Sequence, residues 1–171
     1  IPAAEHLAAL RRLERERDVL ESELSRRSAA FRAQTVPVTL DAVRSALPDD
    51  AALIEFAVYR TFDPRAESNT TAYGAARYVA YVVTRHDTRG VDLGPASVVD
   101  AAVASFRQAL GDPQRTDVNV LARQLDAAVM QPVRGLAGSY RHLLISPDGT
   151  LNLIPFEALR DEGDRYALER Y

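Results

Sequence analysis

The amino-acid sequence predicts an α/β fold: a sheet flanked by helices, preceded by a long N-terminal helix and an antiparallel strand meander. Three observations carry this. Leu10, Leu13, Leu20, Leu24 and Phe31 recur at a spacing of three to four or its multiples through residues 3 to 33, the mark of one apolar helical seam. Two stretches rich in β-branched and aromatic residues, "ALIEFAVYR" and "ARYVAYVVTR", follow each other with a polar stretch between them. Farther on, two amphipathic helical patterns lead into "HLLIS", a near-continuous apolar run that reads as a strand covered on both faces.

Residues 3 to 33 are otherwise mostly Arg and Glu, with i,i+4 pairs such as Arg17/Glu21. Arg17 and Arg27 fall in the seam, which argues against a long autonomous coiled coil. Two readings of this helix stay open. It docks one face on its own domain, or it connects to helical repeats upstream. Pro37 ends the pattern, and Thr39 caps a short helix, "LDAVRSAL".

The turn Pro48-Asp49-Asp50 leads into a strand over 52 to 60, with Ile54, Phe56 and Val58 on one face and Leu53, Glu55, Ala57 and Tyr59 on the other. Residues 61 to 74 form a polar loop with Pro and Gly. A second strand spans 76 to 85, "HDTRG" turns, and "VDLG" makes a short third strand. Pro95 opens a helix with Val98, Val99, Ala102, Val103, Phe106 and Leu110 on one face, and Gly111 and Pro113 stop it. Thr116 or Asp117 caps the next, lined by Val118, Leu121, Leu125, Ala128 and Val129, before Gly135 and Gly138 loosen the chain. After "HLLIS" comes the strong turn "SPDGT", then a second apolar run, "LNLIPFEAL", in which Pro155 breaks any extended ladder. "DEGDRYALERY" reads as another turn leading into a strand.

The totals bound the function. The 171 residues allow one domain with a core, or a domain and an appendage. A net charge of −3 argues against a non-specific nucleic-acid binder. All 21 basic residues are arginine. With no cysteine there is no disulfide, thiolate metal site or thiol nucleophile in the chain. His6, His86 and His142 lie far apart and lack helical ligand spacing, so no metal site and no cofactor is expected. No apolar run approaches the ~20 residues of a membrane span, and no signal peptide is visible, so a cytoplasmic location is the expectation. The chain begins with Ile1 and ends on "YALERY", which reads as the middle of a longer polypeptide.

No phosphate-binding or nucleophile-elbow motif occurs. Ser146 sits at a strand end before Pro147 and reads as structural. His142 reads as packed or hydrogen-bonded, His86 as a solvated turn residue, His6 as an exposed helix residue, and Glu55 as the partner of an arginine on the adjacent strand. Asp148 lies just past the end of the apolar strand. It serves ordinary turn chemistry, or it meets a cationic substrate group, since ligands gather at the carboxyl ends of strands in open α/β sheets.

Residues 39 to 171 resemble the start of a CHAT domain, the caspase-like peptidase domain associated with tetratricopeptide repeats. The residues that carry this are "AALIEFAVY" after "TLDAVRSALPDDAAL", then "RYVAYVVTRHDTRGVDLGP", and above all "QPV", "HLLISPDGTLNLIPFEAL" and "LERY". The resemblance implies a caspase-like sheet flanked by helices, incomplete in this chain. It divides the chain into a connector helix, 1–36, and the N-terminal portion of a CHAT domain, 37–171. It further implies a bacterial cysteine endopeptidase in which a His base takes the proton of a Cys thiol, often cutting after a basic residue. Upstream repeats are expected to sense a partner and gate the peptidase. In the family pattern both catalytic residues lie beyond the "LERY" segment, so none transfers to a position here. The implied partners are the remainder of the domain, the upstream helical repeats, and a protein substrate or regulator, with no nucleic acid directly and no membrane. Asp148 is the one candidate substrate-binding residue, for a basic P1 side chain. The alternative is a non-catalytic interaction module, a pseudo-protease that binds a partner through the N-terminal helix or a strand edge. An incomplete domain of this kind predicts an exposed apolar sheet edge.

Overall fold

The computed structural model describes residues 3–27, 37–68 and 70–171, and between 3 and 27 the side chains of residues 9–23. His6, Leu24, Arg27 and Phe31 lie outside the described side chains. The chain forms two units, Ile1–Val43 and Arg44–Tyr171.

Strong helix formers build α1 (Ala3–Arg27). Arg12 pairs with Glu16 at 2.8 Å and Arg17 approaches Glu21 at 3.7 Å, the predicted i,i+4 arrangement. The spacing of its leucines predicts a buried face, yet none of residues 9 to 23 is buried. α2 (Leu40–Ala46) starts as read from the sequence, with the Thr39 hydroxyl accepting the Ala42 N–H at 3.2 Å. Among the described residues, no helix is long and apolar enough to cross a membrane.

The second unit is built on a four-stranded mixed sheet, β1 (Ala51–Phe62), β2 (Tyr73–Val83), β3 (Thr88–Pro95) and β4 (His142–Ser146), in the order β3-β2-β1-β4. β1, β2 and β3 form the predicted antiparallel meander, and β4 pairs with β1 in parallel. The β1–β2 ladder runs farther toward the tip than predicted, to Phe62 opposite Tyr73, whose rings lie 5.3 Å apart. That ring pair closes the ends of a loop that is mostly polar in sequence.

Three helices follow on one side of the sheet: α3 (Ala96–Leu110), α4 (Val118–Val129) and α5 (Gln131–Ala137). Ile54, Phe56, Tyr78, Ala80 and Val82 meet Val99, Val103, Phe106, Leu125 and Val129 in one buried cluster. Burial of this kind stabilises by roughly 1.5–3 kcal/mol for each large side chain. Val98 and Leu110, assigned to the buried face of α3, are exposed instead. Gly135 lies inside α5, while Gly138, at φ 61°, ends it. Asp117 stands at the start of α4 but spends its carboxylate on Arg115, at 2.6–2.7 Å, rather than on a cap.

Two other expectations are corrected, and one segment takes a form the sequence left open. "LNLIPFEAL" makes no extended ladder, in keeping with Pro155. It winds into two 3₁₀ turns, Gly149–Leu153 and Phe156–Ala158, that bury Leu151, Ile154, Phe156 and Leu159. The intervals Leu151 to Ile154 and Phe156 to Leu159 are one 3₁₀ turn each, which places each pair on one face. The last segment does not end in a strand. One bridge, Arg160 to Tyr166, precedes a short α6 (Ala167–Arg170), and Glu169 accepts the Tyr166 N–H at 2.8 Å as in a helix start. Finally, "HLLIS" is covered on one face only. Leu143 and Ile145 pack against the core, but Leu144 is 49% exposed.

Candidate functional site

The carboxyl end of β4 is where side chains from distant segments converge. Past the last β1–β4 pair, Glu55 with Ser146, the chain turns through Pro147. Asp148 then reaches back to β1, where one carboxylate oxygen accepts the Val58 N–H at 2.8 Å and the other accepts the Gly149 N–H at 2.7 Å. These donors, Val58 first, hold the carboxyl below the usual range, because hydrogen bonds to the charged form favour it. A carboxylate has about four acceptor sites, so two are in use.

Gly149 has φ +54°, and a Cβ there would sit 2.4 Å from the Tyr78 hydroxyl oxygen. Glycine is required twice over, by conformation and by space. The Tyr78 hydroxyl accepts the Thr150 N–H at 3.0 Å and donates to Asp100 of α3 at 3.1 Å, while the Thr150 hydroxyl donates to the same Asp100 oxygen at 2.6 Å. The turn "PDGT" is thus tied to β1, β2 and α3 at once. Leu151 and Phe156 follow into the core, and the Phe156 ring stacks on Phe56 at 5.6 Å.

Among the described residues, β4 carries no strand on its side away from β1. An open apolar groove of about 650 Å³ runs there, lined by Leu144, Ile145, Ile154, Phe156, Leu168 and Tyr171 among others. Leu168 is 72% exposed on its rim.

Guanidinium–carboxylate pairs fix the wall that carries Leu168 and Tyr171. Arg134 of α5 grips Asp126 of α4 with two hydrogen bonds, 2.8 and 2.6 Å, and gives a third, 2.6 Å, to Glu162. Arg134 and Asp126 are buried, and burial opposes the charge of Arg134, but Asp126 outweighs it and raises its pKa. Asp161 is also buried. Burial alone would raise its carboxyl, yet bonds from the Arg165 and Gly163 N–H groups and the Arg170 and Arg165 guanidinium groups bring it to about 2. Arg123 pairs with Asp164, and Arg160 lies 4.7 Å over the Tyr166 ring.

Ser146 and Glu55 share a register position, but among the described residues no arginine pairs with Glu55, contrary to expectation. The register explains why, since its cross-strand neighbour is Tyr81 and the arginine of β2, Arg77, lies four residues away and binds Asp92 at 2.8 Å. His142 Nδ1 lies 2.7 Å from Asp50, with both side chains about two-thirds exposed, so it is hydrogen-bonded rather than packed. The His86 N–H donates to Thr84 in an exposed turn. Sequence reading missed the Tyr78–Asp100–Thr150 junction and the arginine network, because neither shows a local signal. Asp100 and Thr150 are 50 residues apart.

The segment that builds this wall and turn is also the one that a known family model matches. Residues 119–171 match the family model of the CHAT domain. The CHAT resemblance read from the sequence is therefore borne out over α4, α5, β4 and the 3₁₀ turns, and it supports a fragment of that family. No curated protein and no solved structure matches the chain. Within the matched segment the residues of "PDGT…IPFEAL" serve the junctions and core contacts described above.

Proposed function

We propose that this chain is the N-terminal part of a bacterial CHAT-type caspase-like cysteine endopeptidase, supplying scaffold and sensor coupling rather than the catalytic dyad. The CHAT match over residues 119–171 carries the reading. The open edge of β4 supports it. A parallel strand is ordinarily buried on both faces and flanked on both sides, and "HLLIS" has the composition for that. The groove beside it fits the next strand of the same sheet. The 171 residues hold no cysteine, so the thiolate has to come from the remainder of the domain. α1 serves as the connector through which upstream helical repeats gate the peptidase. Asp148, at the carboxyl end of β4, faces a basic P1 side chain with the acceptor sites its backbone bonds leave open.

The experiment is to read the gene beyond the codon for Tyr171 and to assay its whole product on Arg-containing peptides. A His and a Cys, each after an apolar strand, with cleavage abolished by Cys→Ala, is the expected result. A product that lacks either residue and cleaves nothing overturns the protease reading in favour of an interaction module.

A further inference from the structure

β1 and β4 run in parallel, so the second half of β1 projects from the same end of the sheet as Asp148. β4 pairs with β1 only from Ala51 to Glu55, whereas β2 follows β1 out to Phe62. Beyond Asp148, therefore, β1 is paired on one flank alone. The Val58 N–H points to the other flank, where Asp148 takes it. A strand alternates with a period of two, so the Arg60 N–H and C=O face that same flank, and among the described residues nothing is hydrogen-bonded to them there. The two ends of this open stretch differ in chemistry. At one end Asp148 keeps acceptor sites free. At the other, about 13 Å along β1 from Val58 at ~3.3 Å per residue, stand the rings of Phe62 and Tyr73, 58% and 53% exposed. The loop beyond the rings is braced by its own backbone. The Asp63 N–H donates to the Ala72 carbonyl at 2.8 Å, and the Ser68 carbonyl accepts from Thr71 and Ala72 at 3.1 Å.

We propose that this stretch binds an extended segment of the polypeptide substrate as an added strand, with a basic side chain of the segment at Asp148 and an apolar one on the Phe62 and Tyr73 rings. The inference deepens the endopeptidase reading and rests on it for the role of Asp148. Main-chain groups at a sheet edge bind any extended peptide, and side-chain sites at the two ends choose among sequences. A carboxylate selects a cation by a charge-assisted hydrogen bond. The exposed rings reward an apolar side chain that covers them. A basic and an apolar residue about four positions apart span the same distance in an extended peptide. A register shift after Arg60 keeps the open edge short. Short, bulged edges resist pairing with a whole sheet, so a peptide of a few residues fits where a second copy of the chain does not.

The test uses the full chain and the fluorescein-labelled peptide Thr-Arg-Thr-Val-Thr-Phe-Thr, together with its reversed sequence because a strand can add in either direction. Fluorescence anisotropy measures binding. At least one of the two is expected to bind, and to weaken by about fivefold or more when Glu replaces its Arg or Ser replaces its Phe. Asp148→Asn abolishes the preference for Arg over Glu. Phe62→Ala with Tyr73→Ala abolishes the preference for Phe over Ser. Arg60→Pro deletes the outward N–H, a change an edge strand tolerates, and weakens binding more than Arg60→Ala does. Should Arg60→Pro fail to fold, a peptide N-methylated at its three central residues decides instead, since it cannot pair as a strand. No binding by either peptide, preferences that survive the Asp148 and ring variants, or full affinity of the N-methylated peptide overturns the inference. Binding needs no catalytic dyad, so it is read apart from cleavage. Arm-dependent binding alongside a whole product that cleaves nothing upholds the strand site and overturns the protease reading alone.

Discussion

The carboxylate of Asp148 accepts the backbone N–H of Val58 at 2.8 Å across 90 residues of sequence, joining the end of β4 to the middle of β1. Asp148→Ala is expected to cost about 1 kcal/mol, the usual price of losing a capping carboxylate, and to lower the melting temperature by a few degrees. Asp148→Asn keeps an acceptor and costs less. Under the proposed endopeptidase reading, Asp148→Asn in the whole protein is expected to raise KM for Arg-containing peptides at nearly unchanged melting temperature. Unchanged kinetics would confine the residue to its turn.

Gly149 and Tyr78 are coupled by the same turn. Gly149→Ala meets both a positive φ and the Tyr78 hydroxyl, and is expected to cost at least about 1–2 kcal/mol from the backbone alone. Tyr78→Phe removes the partner of the Thr150 N–H and of Asp100. The double variant should lose less than the sum, because the phenyl ring leaves room that the hydroxyl denies. Additive losses in urea unfolding would show that the clash is relieved elsewhere.

Arg134 and Asp126 form a buried pair gripped by two hydrogen bonds. Arg134→Met leaves Asp126 buried without a cation, and a loss of about 3–5 kcal/mol is expected. Adding Asp126→Leu removes the stranded charge and should recover much of that. Glu162→Gln touches the exposed end of the network and should change stability by less than about 1 kcal/mol. A double variant as unstable as Arg134→Met would mean that packing, not charge, sets the cost.

Asp161 gives the fold an acid limit. Its carboxyl lies at about 2, below the ~3.9 of an unfolded chain. The stabilisation is complete above the unfolded value and disappears as pH falls from about 4 to about 2, where the folded carboxyl takes up its proton. Asp161→Asn should therefore melt lower than the unaltered chain at pH 7. The gap should close below about pH 2. A gap independent of pH would mean that shape rather than charge is what Asp161 supplies.

The open edge of β4 predicts behaviour in solution. With Leu144 and Leu168 exposed beside the groove, the chain alone is expected to self-associate. Leu144→Glu and Leu168→Glu should each shift it toward monomer in light scattering. A chain that is monomeric without either change would argue that the groove is not sticky.

Much of the fold is legible in the letters. Period two finds β1 and β2, period 3.6 finds α3 and α4, and Thr39 marks its helix. What misleads is a segment whose burial follows a third period. Leu151, Ile154, Phe156 and Leu159 are anchored at 3₁₀ intervals, which neither strand nor α-helix patterning detects. Glu55 misleads in another way. A half-buried acid invites an arginine on the next strand, but cross-strand register is a long-range property, and it sets Tyr81 there instead. The "PDG" turn is readable as a turn, whereas its anchorage to Val58, Tyr78 and Asp100 depends on contacts made by strands far upstream.

The parallel pairing of β1 with β4 also sets an order of events. At about 5–20 residues per second, a ribosome delivers β4 roughly 5–18 s after the stretch of β1 it must join. The β1–β2–β3 meander is complete in the emerging chain well before then, and hairpins of this kind form in about 1–10 μs. For seconds, then, the nascent chain presents a finished hairpin sheet whose β1 flank is vacant. The polypeptide that first reaches that flank in the cell, its own β4 or a neighbour's, decides whether synthesis ends in a folded molecule or an exchanged one.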